Sequence, residues 1–356
     1  MLVGRKRSKN YNILEKDTLT PLYDRSLVGL YPPGSTFKLI NALIALQEGV
    51  ISNQTYFKCF GGYRYGSRAN EFMKCHCNIY NSPIRLKTAI AKSCNSYFSG
   101  TYKRIVEKDK KPSEGLDNWN RHVTSFGLGN YLGYDLPAGQ KGFIPNGKYY
   151  DDRNKYTWNA STNISNAIGQ GEVLTTPIQL ANFTAAIANR GYFYTPHIVK
   201  KIDSKIIDNP NYTVKKQTTI EKEHFKPVIE AMHEVFKTGT GMWSQVKGIE
   251  ICGKTGTAEN SIKMVDGIKI QAEDHSILVA FAPKKNPKIA LAVFVENGGY
   301  GSTIAAPITS LLIEKYIHGS ISERNKYREQ SMLNMSLQEV YNLQIPKSKE
   351  FASGTK

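Results

Sequence analysis

Cysteine is scarce in this sequence, which has 5 in 356 residues. Small secreted folds held by disulfides need a far higher cysteine density, so a disulfide scaffold is excluded, and the odd number leaves at least one thiol free. Long apolar runs are also missing. None reaches the roughly 18 residues that cross a bilayer, and the segment MLVGRKRSKNYNILEKD has no apolar core of a signal peptide. The sequence itself therefore predicts neither a membrane span nor an export signal.

The sequence also contains few acidic residues relative to basic ones. There are 30 Asp and Glu against 47 Lys and Arg, which gives a formal net charge of +17. Such an excess suits an anionic partner, or simply a solvated basic surface. No Lys/Arg-rich run alternates with aromatic residues on which bases could stack, so we predict no nucleic-acid partner. With 40% hydrophobic residues, the chain can bury a large core as one or two domains.

Several segments have helical patterns. The first follows the turn signal Pro32-Pro33-Gly34 and runs from Ser35, a good N-cap residue, to Gly49. Its apolar residues cover nearly the whole circumference, which predicts a buried central helix. Further helices are predicted at 84–92, 96–107, 115–126, 177–190, 222–237 and 302–319. Residues 52–81 and 126–152 have no clear period and are predicted to be loops.

Strand signals are concentrated late in the chain, at 248–260, 275–283 and 288–298. These short runs are rich in Val, Ile and Phe, and a Pro/Lys/Asn turn joins the last two as a hairpin would require. Helices followed by antiparallel strands indicate an α+β fold.

The tetrapeptide KTGT occurs twice, at 237–240 and 254–257. The first copy closes the predicted helix 222–237 with a glycine stop, which we interpret as ordinary C-capping. The second continues the run that contains Ile249 and Ile251, so it is predicted to lie on a strand whose backbone can pair with an extended ligand. The second copy is therefore the candidate for chemistry.

Two motifs precede the second KTGT. Ser35 and Lys38 form an S-x-x-K at a helix start, where positions i and i+3 share a face, so the Lys38 amine can stand beside the Ser35 hydroxyl. Ser93 and Asn95 form an S-x-N in the break between two predicted helices. The order S-x-x-K, S-x-N, KTG, ending at Lys254, is hard to obtain by chance.

The chain resembles the transpeptidase domain of penicillin-binding proteins, in particular the elongation-type penicillin-binding protein 2 class. The resemblance is carried by LYPPGSTFKLINALIALQEG, AIAKSCNSYF, FGLGNYLGYDLPAGQKGFIPN, AIGQGEVLTTPIQLANFTAAIANRGYFYTPHIV, CGKTGTAEN and HSILVAFAPKKNPKIALAVFVENGGYG. It implies a transpeptidase domain at 20–318, with a helical subdomain near 50–220, a polar remnant at 1–19 and a charged tail at 319–356. The implied fold is the α+β penicillin-binding/β-lactamase-like fold, in which helices flank an antiparallel sheet, here with only its three late strands, and a second subdomain is all-helical.

The resemblance implies a peptidoglycan D,D-transpeptidase of cell elongation. The family acts on stem peptides ending in D-Ala-D-Ala through an acyl-serine intermediate, and it is acylated by β-lactams. Two alternatives stay open: a β-lactamase, which needs a glutamate for deacylation that we cannot assign here, and a β-lactam sensor. Rapid turnover of a β-lactam favours the first alternative, and acylation without transpeptidation favours the second.

A serine hydroxyl is a poor nucleophile at neutral pH, so Ser35 needs a base. Lys38 can serve if a dry cleft and a second cation, Lys254, lower the pKa of its ammonium group. The resemblance implies that Ser93 relays a proton and that Asn95 binds a carbonyl group of the donor peptide. It also implies an oxyanion hole formed by the backbone N–H groups of residues 35 and 257, and binding of the terminal carboxylate by the hydroxyls of Thr255 and Thr257. The predicted catalytic residues are Ser35, Lys38, Ser93, Asn95 and Lys254, and the predicted substrate-binding residues are Thr255, Gly256 and Thr257.

Four of the cysteines fall near the S-x-N motif. If Ser93 and Asn95 face the cleft, Cys94 points away from it, toward the loop that holds the other three. Thiolates and an imidazole could hold a tetrahedral zinc ion, and related elongation-type proteins carry a metal near this point; free or disulfide-paired cysteines are the alternative. The candidate ligands are Cys59, Cys75, Cys77 and Cys94, with His76 as an alternative, whereas Cys252 is interpreted as a core residue. Catalysis itself is expected to need no cofactor.

The sequence also departs from the family. Relatives have an inner-membrane anchor, a dimerisation pedestal and two strands before the point where this sequence begins. We therefore expect either a fragment or a partner that supplies these strands, and an exposed edge on the 288–298 strand. The resemblance implies a place at the periplasmic face of the inner membrane, with elongation-machinery proteins as partners.

Overall fold

The computed structural model describes residues 4–17, 20–155, 157–260, 263–265, 268–270 and 273–337. The α-helices in these residues are α1 Arg7–Glu15, α2 Lys38–Gln47, α3 Leu86–Ala91, α4 Asn95–Val106, α5 Pro112–Thr124, α6 Gly147–Asn154, α7 Pro177–Ala188, α8 Pro210–Thr213, α9 Phe225–Lys237, α10 Ala305–His318 and α11 Glu323–Leu333. The strands are β1 Tyr56–Lys58, β2 Gly62–Arg64, β3 Phe72–Lys74, β4 Pro83–Arg85, β5 Tyr192–Phe193, β6 Lys201–Ile202, β7 Lys205–Ile206, β8 Lys216–Gln217, β9 Cys252–Ala258, β10 Lys263–Val265, β11 Ile268–Ile270, β12 His275–Ala282 and β13 Ile289–Val295.

The main sheet consists of the three late strands, as predicted. Its order is β13-β12-β9, and both pairs are antiparallel. The β12 strand is buried without interruption from Ser276 to Ala282, which indicates that both faces of the sheet are covered. Helices α7, α9 and α10 pack against the sheet. In the described part of the chain β13 pairs only with β12, and its residues are all half-buried, as befits an edge strand.

The predicted central helix is α2. Every residue from Lys38 to Leu46 is buried, because apolar side chains cover the helix on all sides. The expectation that Ser35 caps this helix is wrong. A 3-10 turn at Gly34–Phe37 precedes α2, and Ser35 lies inside that turn rather than at a cap position.

Several short elements were not predicted. Strands β1 to β4 lie in or beside the 52–81 segment, as the antiparallel pairs β1-β4 and β2-β3, and α6 begins in the 126–152 segment. Strands of three residues are too short to show an alternating pattern. Phe57 and Tyr63 from these strands pack against the core, so tertiary contact rather than local sequence stabilises them.

The terminal regions also contain helices. The polar segment 1–19 includes α1, and the charged tail includes α11, which Asn325 fastens to α10 by donating from Nδ2 to Glu314 Oε2 at 2.8 Å. The described residues between 50 and 220 contain six α-helices, α3 to α8, and also eight short strands, β1 to β8, so this region is not all-helical as expected. None of the helices in the described residues is long and apolar enough to cross a membrane.

Candidate active site

The Ser35 hydroxyl group belongs to the 3-10 turn before α2. Gly34 in this turn has a φ of +56°, and a Cβ at this position would lie 2.7 Å from the carbonyl oxygen of Thr257. Only glycine fits where the turn presses against β9. The contact places Ser35, which is half-buried, next to the strand that carries the second KTGT.

Two lysine amines meet on one hydroxyl group. Lys38 Nζ donates to Ser93 Oγ at 3.1 Å, and Lys254 Nζ donates to the same oxygen at 2.9 Å. Both lysine side chains are fully buried, one in α2 and the other in β9. The structure therefore brings the S-x-x-K, S-x-N and second KTGT motifs together at one point.

The position of Ser93 depends on a tight turn between α3 and α4. Ser93 N donates to Ile90 O and Cys94 N donates to Ala89 O, which ends α3, and Cys94 is then the N-cap of α4. Ser93 itself has a φ of +57°. A residue other than glycine is uncommon in this left-handed region, where it costs on the order of 1 kcal/mol. The strained turn is what places the Ser93 hydroxyl between the two amines.

Burial lowers the pKa of both lysines. It brings the pKa of Lys38 from 10.5 to about 8, although the cysteine sulfurs nearby act in the opposite direction. Burial, and then the positive charge of Lys38, hold the pKa of Lys254 well below its usual value. Two buried ammonium groups on one hydroxyl repel each other, which favours the neutral form of the amines. Burial, rather than the neighbouring cation, is the main cause of the lowered Lys38 pKa.

Asn95 is the first residue of α4 and helps to hold Lys38. Its Oδ1 accepts a hydrogen bond from Lys38 Nζ at 2.5 Å, and its Nδ2 donates to Lys74 O at 2.7 Å. Lys38 Nζ also donates to Ser93 O at 2.8 Å, so three acceptor atoms on two residues fix this amine. The second hydrogen of Asn95 Nδ2 has no acceptor among the described residues and is available for the predicted peptide carbonyl.

The rest of the second KTGT lies on β9. Thr255 is buried and Thr257 is half-buried, and the two side chains face the same side because they are two residues apart on a strand. A Cβ on Gly256 would lie 3.0 Å from Thr36 Cγ2 and 3.3 Å from Pro33 O. Gly256 is predicted to bind substrate, and in the structure the serine-bearing turn packs against it.

The first KTGT copy ends α9, as predicted. Lys237 is the exposed last residue of the helix, and Gly239 N donates to Glu234 O beyond it. The copy does more than end a helix, however, because Thr240 Oγ1 lies 2.6 Å from Thr255 Oγ1. The two KTGT copies therefore touch each other through their threonines.

Four buried cysteines gather beside the Ser93 turn. The Sγ atoms of Cys59, Cys75, Cys77 and Cys94 all lie within 4.8 Å of one another, and those of Cys75 and Cys94 are 3.8 Å apart. All are free thiols. A tetrahedral zinc site with Zn–S bonds of about 2.3 Å has sulfur–sulfur edges of about 3.8 Å, so this donor set fits zinc. His76 is exposed and is not part of the cluster.

The groups that contact the two amines are all uncharged. Lys38 and Lys254 donate to Ser93, to Asn95 and to the carbonyl oxygen of Thr255. Among the described residues, no Asp or Glu forms an ion pair with either lysine. A serine-bearing turn next to a strand with two threonine hydroxyls, together with two buried amines of lowered pKa, is an arrangement that supports acyl transfer.

Comparison with known protein families identifies the family of this chain. The penicillin-binding protein transpeptidase domain matches residues 2–314. The chain belongs to the penicillin-binding protein transpeptidase family. The mixed α+β fold predicted from the sequence is thereby confirmed.

Relatives of this transpeptidase chain include longer proteins. The peptidoglycan D,D-transpeptidase MrdA of Acinetobacter baumannii is 31% identical over 309 residues, which cover 83% of this chain and 44% of that protein. A Pseudomonas aeruginosa PBP2 structure in complex with WCK 5153 has a TM-score of 0.74 and 29% identity, and the match covers 89% of this chain and 66% of that one. A complex of PBP2 and MreC from Helicobacter pylori has a TM-score of 0.71 and 25% identity, with 87% and 54% covered. The chain spans about half the length of the curated relatives it matches.

Sequence reasoning missed two contacts of this candidate site. The carbonyl oxygen of Lys74 holds the Asn95 amide, and Thr240 touches Thr255. The first contact is made by the main chain, so residue identity gives no signal for it. The only sequence signal for the second contact is the repetition of KTGT. Because the first copy is interpreted as the end of a helix, the repetition gives no reason to expect contact between the two copies.

Proposed function

We propose that this chain is a serine-type peptidoglycan D,D-transpeptidase that cross-links stem peptides ending in D-Ala-D-Ala during cell elongation. The observation that carries the proposal is the Ser93 hydroxyl shared by Lys38 and Lys254, beside the turn that bears Ser35. Membership of the transpeptidase family and the names of the relatives support it. The side chains supply a nucleophile, a base and anion-binding groups, so catalysis needs no cofactor.

Acylation begins at Ser35. Neutral Lys38 takes the hydroxyl proton while the Ser35 oxygen attacks the carbonyl carbon of the penultimate D-Ala, which gives a tetrahedral oxyanion. The backbone N–H groups of Ser35 and Thr257 stabilise this oxyanion. Ser93 then passes the proton from the lysine pair to the leaving nitrogen as the C–N bond breaks. Free D-Ala departs and the donor peptide remains as an ester on Ser35.

The donor peptide is held on the β9 side of the site. The hydroxyls of Thr255 and Thr257, with Lys254 behind them, bind its terminal carboxylate, and the free N–H of Asn95 binds a peptide carbonyl. In the second step an amine of a neighbouring stem peptide attacks the Ser35 ester. The amine loses its proton to Lys38, the serine hydroxyl is restored, and the new amide bond is the cross-link.

The surroundings of the lysines favour an amine over water as the acceptor. A β-lactamase of the S-x-x-K type uses a glutamate to activate water for deacylation. In the described ranges no carboxylate is hydrogen-bonded to Lys38, Lys254 or Ser93. We therefore propose that the ester formed with a β-lactam is long-lived.

The partners and location follow by similarity. The Helicobacter pylori neighbour is PBP2 in complex with MreC, and a second neighbour belongs to a peptidoglycan synthase complex. We propose that this chain likewise works with elongation-machinery proteins at the periplasmic face of the inner membrane.

We also propose that Cys59, Cys75, Cys77 and Cys94 hold a structural zinc ion. Their Sγ atoms are mutually close and the side chains are buried, as a closed four-ligand site requires. When bound, zinc would cross-link the short strands β1 to β4 to the N-terminus of α4. It would take no part in the reaction.

Mass spectrometry of the benzylpenicillin-treated chain tests the proposed function. We expect the intact mass to increase by one penicillin, the adduct to map to the peptide that contains Ser35, and the adduct to persist for hours. We also expect incubation with stem peptides ending in D-Ala-D-Ala to yield cross-linked dimers and free D-Ala. An adduct on another residue, or rapid release of hydrolysed penicillin, would contradict the proposal.

Acylation should depend on pH because only neutral Lys38 can accept the Ser35 proton. Since burial brings the pKa of Lys38 to about 8, the neutral fraction increases as the pH rises toward that value. We expect the second-order rate constant for benzylpenicillin to increase about tenfold from pH 6 to pH 7 and to level off above about pH 8. A rate constant that does not change between pH 6 and pH 8 is incompatible with Lys38 as the base.

A further inference from the structure

We propose that Thr240, in the first KTGT copy, is a positioning residue that orients the Thr255 hydroxyl toward the carboxylate of the donor peptide or β-lactam. This inference rests on the proposed transpeptidase function and deepens it. It starts from the 2.6 Å distance between Thr240 Oγ1 and Thr255 Oγ1. The two threonines come from different parts of the fold, the turn that follows α9 and strand β9, so their contact is a tertiary one.

Thr240 is held in place by the segment that leads to Ser93. Its backbone N donates to Ala91 O at 3.1 Å, and a Cβ on Gly239 would lie 2.3 Å from the same carbonyl oxygen. Lys92 Nζ donates to Thr238 O at 2.5 Å. The first KTGT copy is therefore fastened to the last residues before the S-x-N turn, and a bulkier residue than Gly239 would push it away.

These contacts close a ring through the site. Lys254 Nζ donates both to Ser93 Oγ and to Thr255 O, each at 2.9 Å. The Thr255 hydroxyl meets Thr240, and Thr240 N returns to Ala91, two residues before Ser93. Because the links join separate elements, the ring fixes the carboxylate-binding hydroxyl relative to the proton relay.

The direction of the hydroxyl–hydroxyl bond decides what Thr255 can do. Two hydroxyls at this distance share one hydrogen, and an ionised carboxylate is purely an acceptor. If Thr240 donates to Thr255, the hydrogen of Thr255 is free to bind the carboxylate. If Thr255 donated to Thr240, its lone pairs would face the anion. Thr240 is therefore the donor when substrate is bound, and its donation strengthens the bond from Thr255 to the anion.

A purely structural role for Thr240 predicts a different result. Loss of its hydroxyl would then loosen the end of α9 and slow acylation by every substrate alike. A positioning role acts only through Thr255 and only on substrates that carry the carboxylate. The two roles are separated by removing the carboxylate from the ligand.

The test compares acylation by benzylpenicillin and by its methyl ester, which lacks the carboxylate, in variants of the full chain. We expect Thr240→Val to reduce the second-order rate constant with benzylpenicillin about tenfold, mainly by raising the half-saturating concentration, as loss of one hydrogen bond to a charged group predicts. We expect the rate constant of Thr240→Ser with benzylpenicillin to stay within about twofold of the wild-type value. We expect the methyl ester to acylate Thr240→Val and Thr240→Ser at the same rate. Should Thr240→Val fail to fold, Thr240→Ala makes the same comparison.

The chain offers a matched control. Thr238 belongs to the same tetrapeptide and is exposed, and its hydroxyl donates to Glu234 Oε1 at 2.8 Å. Thr238→Val should leave acylation unchanged. Adding Thr240→Val to Thr255→Val should have no further effect, because Thr240 acts only through Thr255.

Three outcomes would overturn the inference: wild-type rates in Thr240→Val, an equal loss with the methyl ester, or additive effects with Thr255→Val. Each is distinct from failure of the proposed function, in which the wild-type chain itself would not be acylated at Ser35.

Discussion

Fluorescent penicillin is expected to label the wild-type chain and its Lys237→Ala variant at equal rates, to leave Ser35→Ala unlabelled, and to label Lys254→Ala about 10²- to 10⁴-fold more slowly. Lys254 Nζ lies 2.9 Å from Ser93 Oγ, so its loss removes one of the two amines on the proton relay. It also removes the amine behind Thr255 and Thr257, which we propose to bind the carboxylate. Lys237 lies exposed at the end of α9 and serves as the matched control, because it occupies the same place in an identical tetrapeptide.

The comparison also checks the nucleophile. Labelling that persists in Ser35→Ala would place the reactive group elsewhere, and wild-type labelling of Lys254→Ala would show that the second KTGT does not take part. Lys254 is fully buried, so its removal leaves a cavity. Lys254→Met fills more of that space, and circular dichroism of both variants separates a loss of chemistry from a loss of fold.

The convergence of the three motifs could be predicted in part from the sequence, because the proposed chemistry needs particular residue types at short spacings. Ser35 and Lys38 are three residues apart, and this spacing was enough to place them on one turn. The approach of Lys38 to Lys254 at the Ser93 hydroxyl could be inferred only from the resemblance, since no local pattern encodes a contact between α2 and β9. The structure supplies the physical reason for that contact, which is the approach of Gly34 to the carbonyl oxygen of Thr257.

The parts of the fold that were missed are those that local sequence does not determine. Helix α2 and strand β12 are buried on all sides, and their apolar runs made them easy to predict. The strands β1 to β4 have only three residues each and depend on packing against the core. The tail helix α11 has few apolar residues and is fastened by polar contacts such as that of Asn325 with Glu314, which hydrophobic periodicity cannot reveal.

The cysteine cluster and the S-x-N motif form one structural unit. Asn95 N donates to Cys75 Sγ at 3.2 Å, and Asn95 Nδ2 donates to Lys74 O at 2.7 Å. Cys94 lies between Ser93 and Asn95 in the chain and contributes its own sulfur to the cluster. A ligand that fixes the positions of the four sulfur atoms therefore also fixes the side-chain amide of Asn95, which holds Lys38.

Replacing Cys59 with serine is expected to release bound zinc, to lower the melting temperature and to slow penicillin acylation about 10- to 100-fold. Cys59 is the cluster member that lies outside both the 74–77 segment and the S-x-N motif, so its loss acts on Asn95 indirectly, through the cluster and through the contact of its Sγ with Ser96 Oγ at 3.1 Å. Zinc content should be about one per chain in wild-type protein purified without chelator. It should stay at that level in Cys252→Ser, whose thiol is also buried but lies in β9, outside the cluster. Metal-free wild-type protein, or full zinc content in Cys59→Ser, would contradict the proposed zinc site. Recovery of fast acylation when zinc is added back to the chelated wild-type protein would show that the metal fixes the position of Asn95.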